Sequence, residues 1–331
     1  MKKIIFYISV SKKIGFGHLI RNCVLAKHYK KKGFNCILVT DNNVDLNLIN
    51  KNIFSKKVII SWANQKKTAE KLVKIYRKLN CDYLILDHIL INESFQKIIL
   101  NNKIKWLQFD NSKKIKFYSN QIVNQNLNCN FKKNSNQKYY CGRRYIILRK
   151  EFYKKKSKKS KLSDVFICFG GGENFQKLKY IYNLLSIINL SNKLHFVIND
   201  PKTYYKFKKL IIDNKNNLKI KMYLRKKYLT YIMDKCKYSI NSSGMISHEL
   251  NSRGIYMMIF SISKNQEQIL RKWKKLGHCI LGKFLKKNIK NHIKKIKEIL
   301  IKNKSPKSSN YVDNLNGIKE IINDTIQIIQ K

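Results

Sequence analysis

Two glycine-rich turns contain the residues most suited to chemistry in this chain. The run GFG at 15–17 comes directly before His18, where a helical pattern begins, and GGG at 170–172 follows an apolar run. Such turns let a ligand approach the backbone, and the helix that follows offers unpaired amides and partial positive charge. Neither run completes a Walker or dinucleotide signature. Each predicts an anion site, although a plain tight turn explains either run taken alone.

His18 stands where a general base could work. The positive end of a helix favours neutral imidazole, and neutral imidazole can accept a proton from water. A neighbouring diphosphate would favour the protonated form instead. A histidine that caps the helix or packs in the core explains the same residue equally well, so both interpretations stay open.

A third possible contact with a nucleotide lies at 241–250, where small polar residues precede a helix. A carboxylate such as Glu249, near the start of that helix, can accept hydrogen bonds from both hydroxyls of a ribose. A carboxylate that only complements the helix dipole is the competing interpretation. Glu249 is therefore a candidate ribose ligand beside Ser243 and Gly244.

Alternating strands and helices must position these turns. Apolar runs at 4–10, 34–41 and 82–88 are typical of buried strands, and amphipathic helices at 20–33 and 67–80 separate them. This order predicts a parallel sheet with helices on both faces. The pattern restarts after a charged, serine-rich stretch, so two α/β halves of similar size are expected.

The two halves give four expected segments. Residues 1–153 form an N-terminal Rossmann-like domain, 154–163 a linker, 164–303 a C-terminal Rossmann-like domain and 304–331 a helical tail. A long surface loop explains 154–163 nearly as well as a linker does. Because ligands of open parallel sheets bind beyond the carboxyl ends of the strands, the glycine turns would close on one ligand from opposite sides of a cleft.

The composition limits the classes of function. The 331 residues include 70 Lys and Arg against 19 Asp and Glu, a formal charge of +51. That charge alone would indicate a nucleic-acid partner. The basic residues are spread along the chain, however, and abundant Lys, Asn and Ile beside scarce Gly, Pro and Ala are typical of AT-rich coding sequence. We expect a small anionic ligand, with at most a nonspecific, salt-sensitive attraction to RNA.

The cysteines and the N-terminal segment favour a cytoplasmic protein. None of the eight cysteines forms a CxxC pair or a cluster with zinc spacing. Most lie in apolar runs, which predicts buried thiols in a reducing compartment rather than disulfides. The first apolar stretch is short and lysines follow it, so we interpret it as a strand and not a signal peptide. No run is long enough to predict a membrane span.

Longer motifs resemble one enzyme family. IGFGHLIRNCVLAKHY at 14–29, LILDH at 84–88, CGRRYIILRKEFY at 141–153, DVFICFGGG at 164–172 and SSGMISHEL at 242–250 are similar to motifs of the UDP-sugar hydrolases of pseudaminic acid biosynthesis. The resemblance covers nearly the whole chain. It implies the GT-B fold shared with MurG-like glycosyltransferases, with two Rossmann-like domains whose parallel sheets face an interdomain cleft.

The resemblance also implies a reaction. Water attacks the anomeric carbon of UDP-2,4-diacetamido-2,4,6-trideoxy-β-L-altropyranose, and UDP leaves without a metal or another cofactor. His18 matches the family's catalytic histidine. The residues implied on the sugar side are Gly15, Phe16, Gly17, Arg21, Asp87, Asn265 and Gln266, and those implied for UDP are Gly170, Gly171, Gly172, Ser243, Gly244 and Glu249. No partner beyond substrate and product is implied, and we expect a monomer.

The chain departs from the family at four positions. Tyr7 and Ser9 replace the usual Arg-x-Asp before the first glycine turn, Ile89 replaces a tyrosine, and Asn111 replaces the second residue of an Asp-Asp pair. These changes concern which UDP-amino sugar is used more than how the bond is broken.

Two other functions stay open from the sequence. A GT-B glycosyltransferase would share the nucleotide turns but pass the sugar to an acceptor. A basic RNA-binding protein would need no catalytic group and would bind RNA with a steep salt dependence. Release of UDP without an acceptor separates hydrolysis from transfer, and a thermal shift with UDP separates both from RNA binding.

Overall fold

The protein divides into two compact units. Unit 1 comprises Met1–Arg149 and Asp313–Lys331, and unit 2 comprises Lys150–Val312. The computed structural model describes residues 1–10, 16–42, 52–110, 115–127, 129, 137–153, 163–170, 174–214, 216–225, 228–261, 267–305 and 315–330.

Unit 1 contains a seven-stranded sheet in the order β3-β2-β1-β4-β5-β6-β7, and every pairing in it is parallel. Its strands are β1 (Lys3–Ile8), β2 (Asn35–Thr40), β3 (Lys56–Ile59), β4 (Tyr83–Asp87), β5 (Trp106–Phe109), β6 (Gln121–Asn124) and β7 (Lys138–Cys141). Its helices are α1 (Gly17–Lys31), α2 (Gln65–Lys78), α3 (Glu93–Asn101) and, from the far end of the chain, α10 (Asn316–Gln330).

Unit 2 contains a six-stranded sheet in the order β10-β9-β8-β11-β12-β13, again with parallel pairings throughout. Its strands are β8 (Asp164–Cys168), β9 (Leu194–Ile198), β10 (Ile220–Leu224), β11 (Cys236–Ser242), β12 (Tyr256–Ser261) and β13 (Cys279–Lys283). Its helices are α4 (Phe175–Ile188), α5 (Pro201–Asp213), α6 (Thr230–Met233), α7 (Met245–Ser252), α8 (Glu267–Lys275) and α9 (Ile289–Ile301). The predicted α/β architecture with two parallel sheets is confirmed.

Both sheets reverse their strand order beside the first strand. In unit 1 the chain builds β1, β2 and β3 outward and then crosses to place β4 on the other side of β1; in unit 2, β11 lies beside β8 in the same way. Helices cover both faces, so central strands such as β4 are buried at every residue. Ligands of such sheets bind beyond the carboxyl ends of the strands at the reversal.

Helix α10 completes unit 1. Thr325 Oγ1 lies 2.7 Å from the Tyr29 hydroxyl on α1 and 2.6 Å from Gln121 Oε1 on β6. A Cβ added to Gly317 would lie 2.0 Å from the carbonyl oxygen of Arg144. Gly317 therefore lets α10 pack closely against Arg144, near the end of the Met1–Arg149 segment of unit 1.

The expectation that the cysteines are thiols is wrong for one pair. Cys129 and Cys141 form a disulfide, with their Cα atoms 5.7 Å apart. Cys141 ends β7, and a sequence separation of 12 residues does not by itself signal that Cys129 is bonded to it. Six cysteines are thiols, and four of these are buried.

None of the helices in the described ranges is both long enough and apolar enough to span a bilayer.

Candidate functional site

His18 and Asp87 meet at the strand reversal of unit 1. Asp87 is the last residue of β4, and His18 lies in the first turn of α1, the helix that follows β1. The imidazole Nδ1 lies 2.6 Å from Asp87 Oδ1. The Asp87 side chain is fully buried, whereas that of His18 is 18% exposed. The imidazole can therefore meet a ligand, and the carboxylate meets only protein.

Two further residues of α1 hold the carboxylate. Arg21 Nε donates to Asp87 Oδ2 at 2.6 Å, and a second guanidinium nitrogen contacts Oδ1. Asn22 Nδ2 also donates to Oδ2, at 2.6 Å. His18, Arg21 and Asn22 are three and four residues apart, so they share one face of the helix. Burial alone would raise the pKa of Asp87, but Arg21 and His18 hold it well below its usual range.

This ionised carboxylate fixes the tautomer of His18. A carboxylate only accepts hydrogen bonds, so Nδ1 carries the hydrogen and donates it to Asp87. Arg21 Nη2 lies 3.1 Å from Nδ1, but both groups are donors and do not bond to each other. Nε2 is left with its lone pair, and no other described residue donates a hydrogen bond to it. The arrangement suits proton abstraction at Nε2.

Residues at the carboxyl ends of strands β5 and β6 position Arg21. The guanidinium carbon lies 4.2 Å from the centre of the Phe109 ring, and Nη1 donates to Gln125 Oε1 at 3.4 Å. Gln125 is in turn fixed by donating to the Tyr145 carbonyl at 2.9 Å. Sequence reasoning missed Asn22, Phe109 and Gln125. Only Asn22 carried a signal, as a polar residue one turn after His18 within an apolar run.

Two of the departures from the family lie beside this cluster. The buried Tyr7 ring stacks on His88, with centroids 4.8 Å apart, and His88 stacks on Trp62 at the same distance. His88 Nε2 lies 3.4 Å from Asp41 Oδ2. The Tyr7 hydroxyl and the buried Ser9 hydroxyl have no hydrogen-bond partner in the part of the chain that the structure describes. Tyr7 thus packs among aromatic rings, and both Tyr7 and Ser9 place uncharged groups at these positions.

The glycine turn of unit 2 begins after β8. Gly170 has a positive φ of 89°, a conformation that favours glycine. Its carbonyl accepts a hydrogen bond from Asn199. Lys177, in the first turn of α4, donates to Asn174 Oδ1 at 2.8 Å, and burial lowers the pKa of Lys177. Sequence reasoning missed this lysine, which lies at the helix end that the turn precedes.

The second turn of unit 2 follows the neighbouring strand β11. Ser243 is 3% exposed, and its hydroxyl has no partner within the described ranges. Asn241 fixes the turn by donating to Ser247 Oγ at 2.9 Å. Glu249 is 5% exposed on α7. Burial raises the pKa of Cys168, the last residue of β8, to about 11, and the Glu249 carboxylate adds to this effect. The carboxylate therefore lies near the ends of both strands.

The structure thus brings His18, Arg21 and Asp87 together in unit 1. Phe16 and Gly17 begin the same helix, where the Phe16 carbonyl accepts from the Ile20 amide. Gly170, Ser243, Gly244 and Glu249 lie at one edge of the sheet in unit 2. The remaining predicted residues, Gly15, Asn111, Gly171, Gly172, Asn265 and Gln266, lie outside the described residues.

Known proteins resemble this chain at the level of sequence. No protein-family model matches it. It is 26% identical over 294 residues to the UDP-2,4-diacetamido-2,4,6-trideoxy-beta-L-altropyranose hydrolase of Campylobacter jejuni, covering 85% of this chain and 100% of that one. It is 28% identical over 322 residues to an uncharacterised protein of Methanocaldococcus jannaschii, covering 89% of this chain and 61% of that one.

Solved structures share its fold. MurG of Acinetobacter baumannii superimposes with a TM-score of 0.67 at 12% identity, over 99% of both chains. MnaA of S. aureus, solved with UDP, gives a TM-score of 0.66 at 12% identity, over 100% of this chain and 97% of that one. The motif-based resemblance is therefore confirmed: the chain is an α/β protein with the MurG-like GT-B fold, similar over most of its length to a UDP-sugar hydrolase.

Proposed function

We propose that this protein is a UDP-sugar hydrolase. The observation that carries the proposal is the contact between His18 Nδ1 and Asp87, because it leaves Nε2 to take a proton from water. Similarity to the Campylobacter jejuni hydrolase supports a UDP-linked 2,4-diacetamido-2,4,6-trideoxy sugar as the substrate. A cytoplasmic role in forming a nonulosonic acid such as pseudaminic acid follows from that substrate.

The proposed step breaks the bond between the anomeric carbon and the diphosphate. Nε2 of His18 accepts a proton while the water oxygen bonds to the anomeric carbon. The electron pair of the broken bond leaves with UDP. Asp87 stabilises the imidazolium that forms, as a buried carboxylate does for the histidine of a catalytic triad. Asp87 and Arg21 thus act as positioning residues in this proposal, in place of the sugar contacts that the resemblance implied.

The turns of unit 2 would receive the departing nucleotide. The buried Ser243 hydroxyl can donate to a phosphate oxygen, and Lys177 can add positive charge at the start of α4. Backbone amides at the starts of α4 and α7 would also stabilise the negative charge of the phosphate. Glu249 would accept from the ribose hydroxyls. These donors offset the charge of the leaving group, so we propose that the step is independent of metal, which activity retained in EDTA would support.

Incubation of the protein with the UDP-sugar in ¹⁸O-labelled water, without an acceptor, tests the proposal. Mass spectrometry should find UDP without label and free sugar with one ¹⁸O atom, because water attacks carbon. Label in UDP would indicate attack at phosphorus and contradict the mechanism. Turnover only after an acceptor is added would indicate a glycosyltransferase, and absence of turnover with tight RNA binding would indicate the noncatalytic alternative.

A further inference from the structure

A cavity of about 610 Å³ lies in unit 2, away from the nucleotide turns. Tyr256 and Cys279, which begin β12 and β13, line it together with residues of α8 and α9. All strands of this sheet are parallel, so the cavity lies at their amino ends. Gly170 and Ser243 follow the carboxyl ends of β8 and β11. The cavity and the nucleotide turns therefore occupy opposite edges of one sheet.

Cationic side chains dominate the wall of the cavity. Arg271 and Lys274 come from α8, Lys295 from α9 and Lys304 from just beyond it, and Glu298 is the one carboxylate among the lining residues. No described carboxylate pairs with any of these four cations. Helices α8 and α9 end at this edge, and each helix end contributes about −0.5 of a charge. The four cations outweigh these helix ends and Glu298, so the cavity stays positive.

Other lining groups show how that charge is directed. Burial raises the pKa of the Cys279 thiol; Lys295, Lys304 and Lys274 oppose the rise and Glu298 adds to it, so the thiol lies among these charged groups. His278 adds no charge: burial lowers its pKa to about 4, and its Nδ1 accepts from the Met257 amide. The charge therefore comes from Arg271 and the lysines, of which Lys295 donates to the Ile280 carbonyl at 3.3 Å.

The floor of the cavity is apolar. Leu270, Ile280 and Ile299 line it, and Tyr256 is 4% exposed. A concave site with an apolar floor, a few converging polar groups and this volume has the form of a small-molecule site. Arg271, Lys274 and Lys304 are exposed and Lys295 is half-buried, so the cations border the apolar surface and remain in contact with solvent.

We propose that this cavity binds a phosphate-bearing small molecule at a site separate from the nucleotide turns. The cationic side chains would hold the phosphate, and the apolar floor would hold the rest of the molecule. This inference does not depend on the proposed hydrolase activity, because none of the residues in it belongs to the candidate site.

Calorimetric titration of inorganic pyrophosphate into the full-length protein, saturated with UDP, tests the charge of the site. Binding should persist in UDP, and Lys274→Gln with Lys295→Gln should weaken it by about 10-fold or more. The matched pair Lys206→Gln with Lys209→Gln, exposed on α5, should change it by less than about 2-fold. Equal losses in both variants would indicate general attraction to a +51 chain and overturn the proposal.

Thiol alkylation, carried out in the absence of UDP, tests the location of the site. Cys279 lines the cavity, and Cys81 is a half-buried thiol in unit 1 that serves as an internal reference. Pyrophosphate should slow alkylation of Cys279 by about 5-fold near saturation, since alkylation needs the unoccupied cavity, and leave Cys81 unchanged. Binding without protection of Cys279 would overturn the proposal. A failure of UDP to bind would contradict the hydrolase proposal alone.

Discussion

The carboxyl edges of the two sheets are built differently. In unit 1 the charged groups bind one another: Asp87 accepts from His18, Arg21 and Asn22. In unit 2 the Ser243 hydroxyl is buried without a described partner, and within the described ranges Lys177 donates to one acceptor, an amide oxygen. The first edge suits the proposed proton transfer, whereas the second has donors that a bound anion would satisfy. We therefore expect mutations at the two edges to separate the proposed chemistry from nucleotide binding.

Replacement of His18 should give the largest effect. His18→Ala removes the proposed base, so kcat should fall by about 10²- to 10⁴-fold, the usual contribution of a positioned acid or base. UDP affinity, measured by calorimetry, should stay within about 2-fold because the proposed nucleotide contacts lie in unit 2. Full activity in this variant would refute the base assignment, and a matching loss of UDP affinity would break the comparison between the edges.

Asp87→Asn should be nearly as severe. The neutral amide stabilises the imidazolium less and leaves Arg21 without its carboxylate, so kcat should fall by about 10²-fold or more. Full activity in Asp87→Asn would contradict the proposed positioning role.

A second His–Asp pair provides the control for that experiment. Asp164, the first residue of β8, lies 2.8 Å from His195 Nε2 in unit 2. Asp164→Asn makes the same chemical change at the amino edge of the other sheet. Its kcat should stay within about 2-fold of the wild type if the effect at Asp87 is specific to the site.

Glu249→Ala should affect UDP binding at the carboxyl edge of the sheet in unit 2. Loss of a charged acceptor for the ribose hydroxyls should weaken UDP binding by about 10-fold, with kcat at saturating substrate nearly unchanged. Glu249→Gln keeps the volume of the buried side chain and should weaken binding less. Unchanged UDP affinity in Glu249→Ala, with an unchanged melting temperature, would leave the carboxylate as a helix-dipole partner only.

Lowering the pH should remove the stabilising contacts of Arg21 and His18 with the Asp87 carboxylate and slightly reduce the stability of the protein. The pKa of Asp87 is depressed in the folded protein, so its contribution is present above the ordinary Asp value of about 3.9 and is lost as pH falls. The free energy of unfolding should therefore decrease below about pH 4. In Asp87→Asn the slope should be shallower by at most about 1.4 kcal/mol per pH unit, measured by urea titrations at several pH values.

Local patterns predicted much of this arrangement. Continuous apolar runs mark β1, β2, β4 and β8 because both faces of these strands are covered. Polar residues come directly at the carboxyl end of each run. The strand-end aspartate Asp87 and the helix-start histidine His18 are visible for that reason. Their contact depends on the strand reversal between β1 and β4, which the β-α-β pattern makes the expected ligand edge.

Contacts between distant segments were not predictable in the same way. Gln125 reaches Arg21 across more than a hundred residues of chain, and neither residue has a local pattern that names the other. The Cys129–Cys141 disulfide joins two cysteines whose spacing of 12 residues matches no recognised pairing motif. Lys177 is one of many lysines, and only its position at the start of α4 distinguishes it.

The return of helix α10 to unit 1 has a consequence for biosynthesis. During translation the surfaces around Tyr29, Gln121 and Gly142–Tyr145 emerge long before residues 316–330 that cover them. The nascent first unit must wait, with part of its apolar interior accessible to chaperones, until the whole of the second unit has left the ribosome. The folding of unit 1 is therefore coupled in time to the synthesis of unit 2.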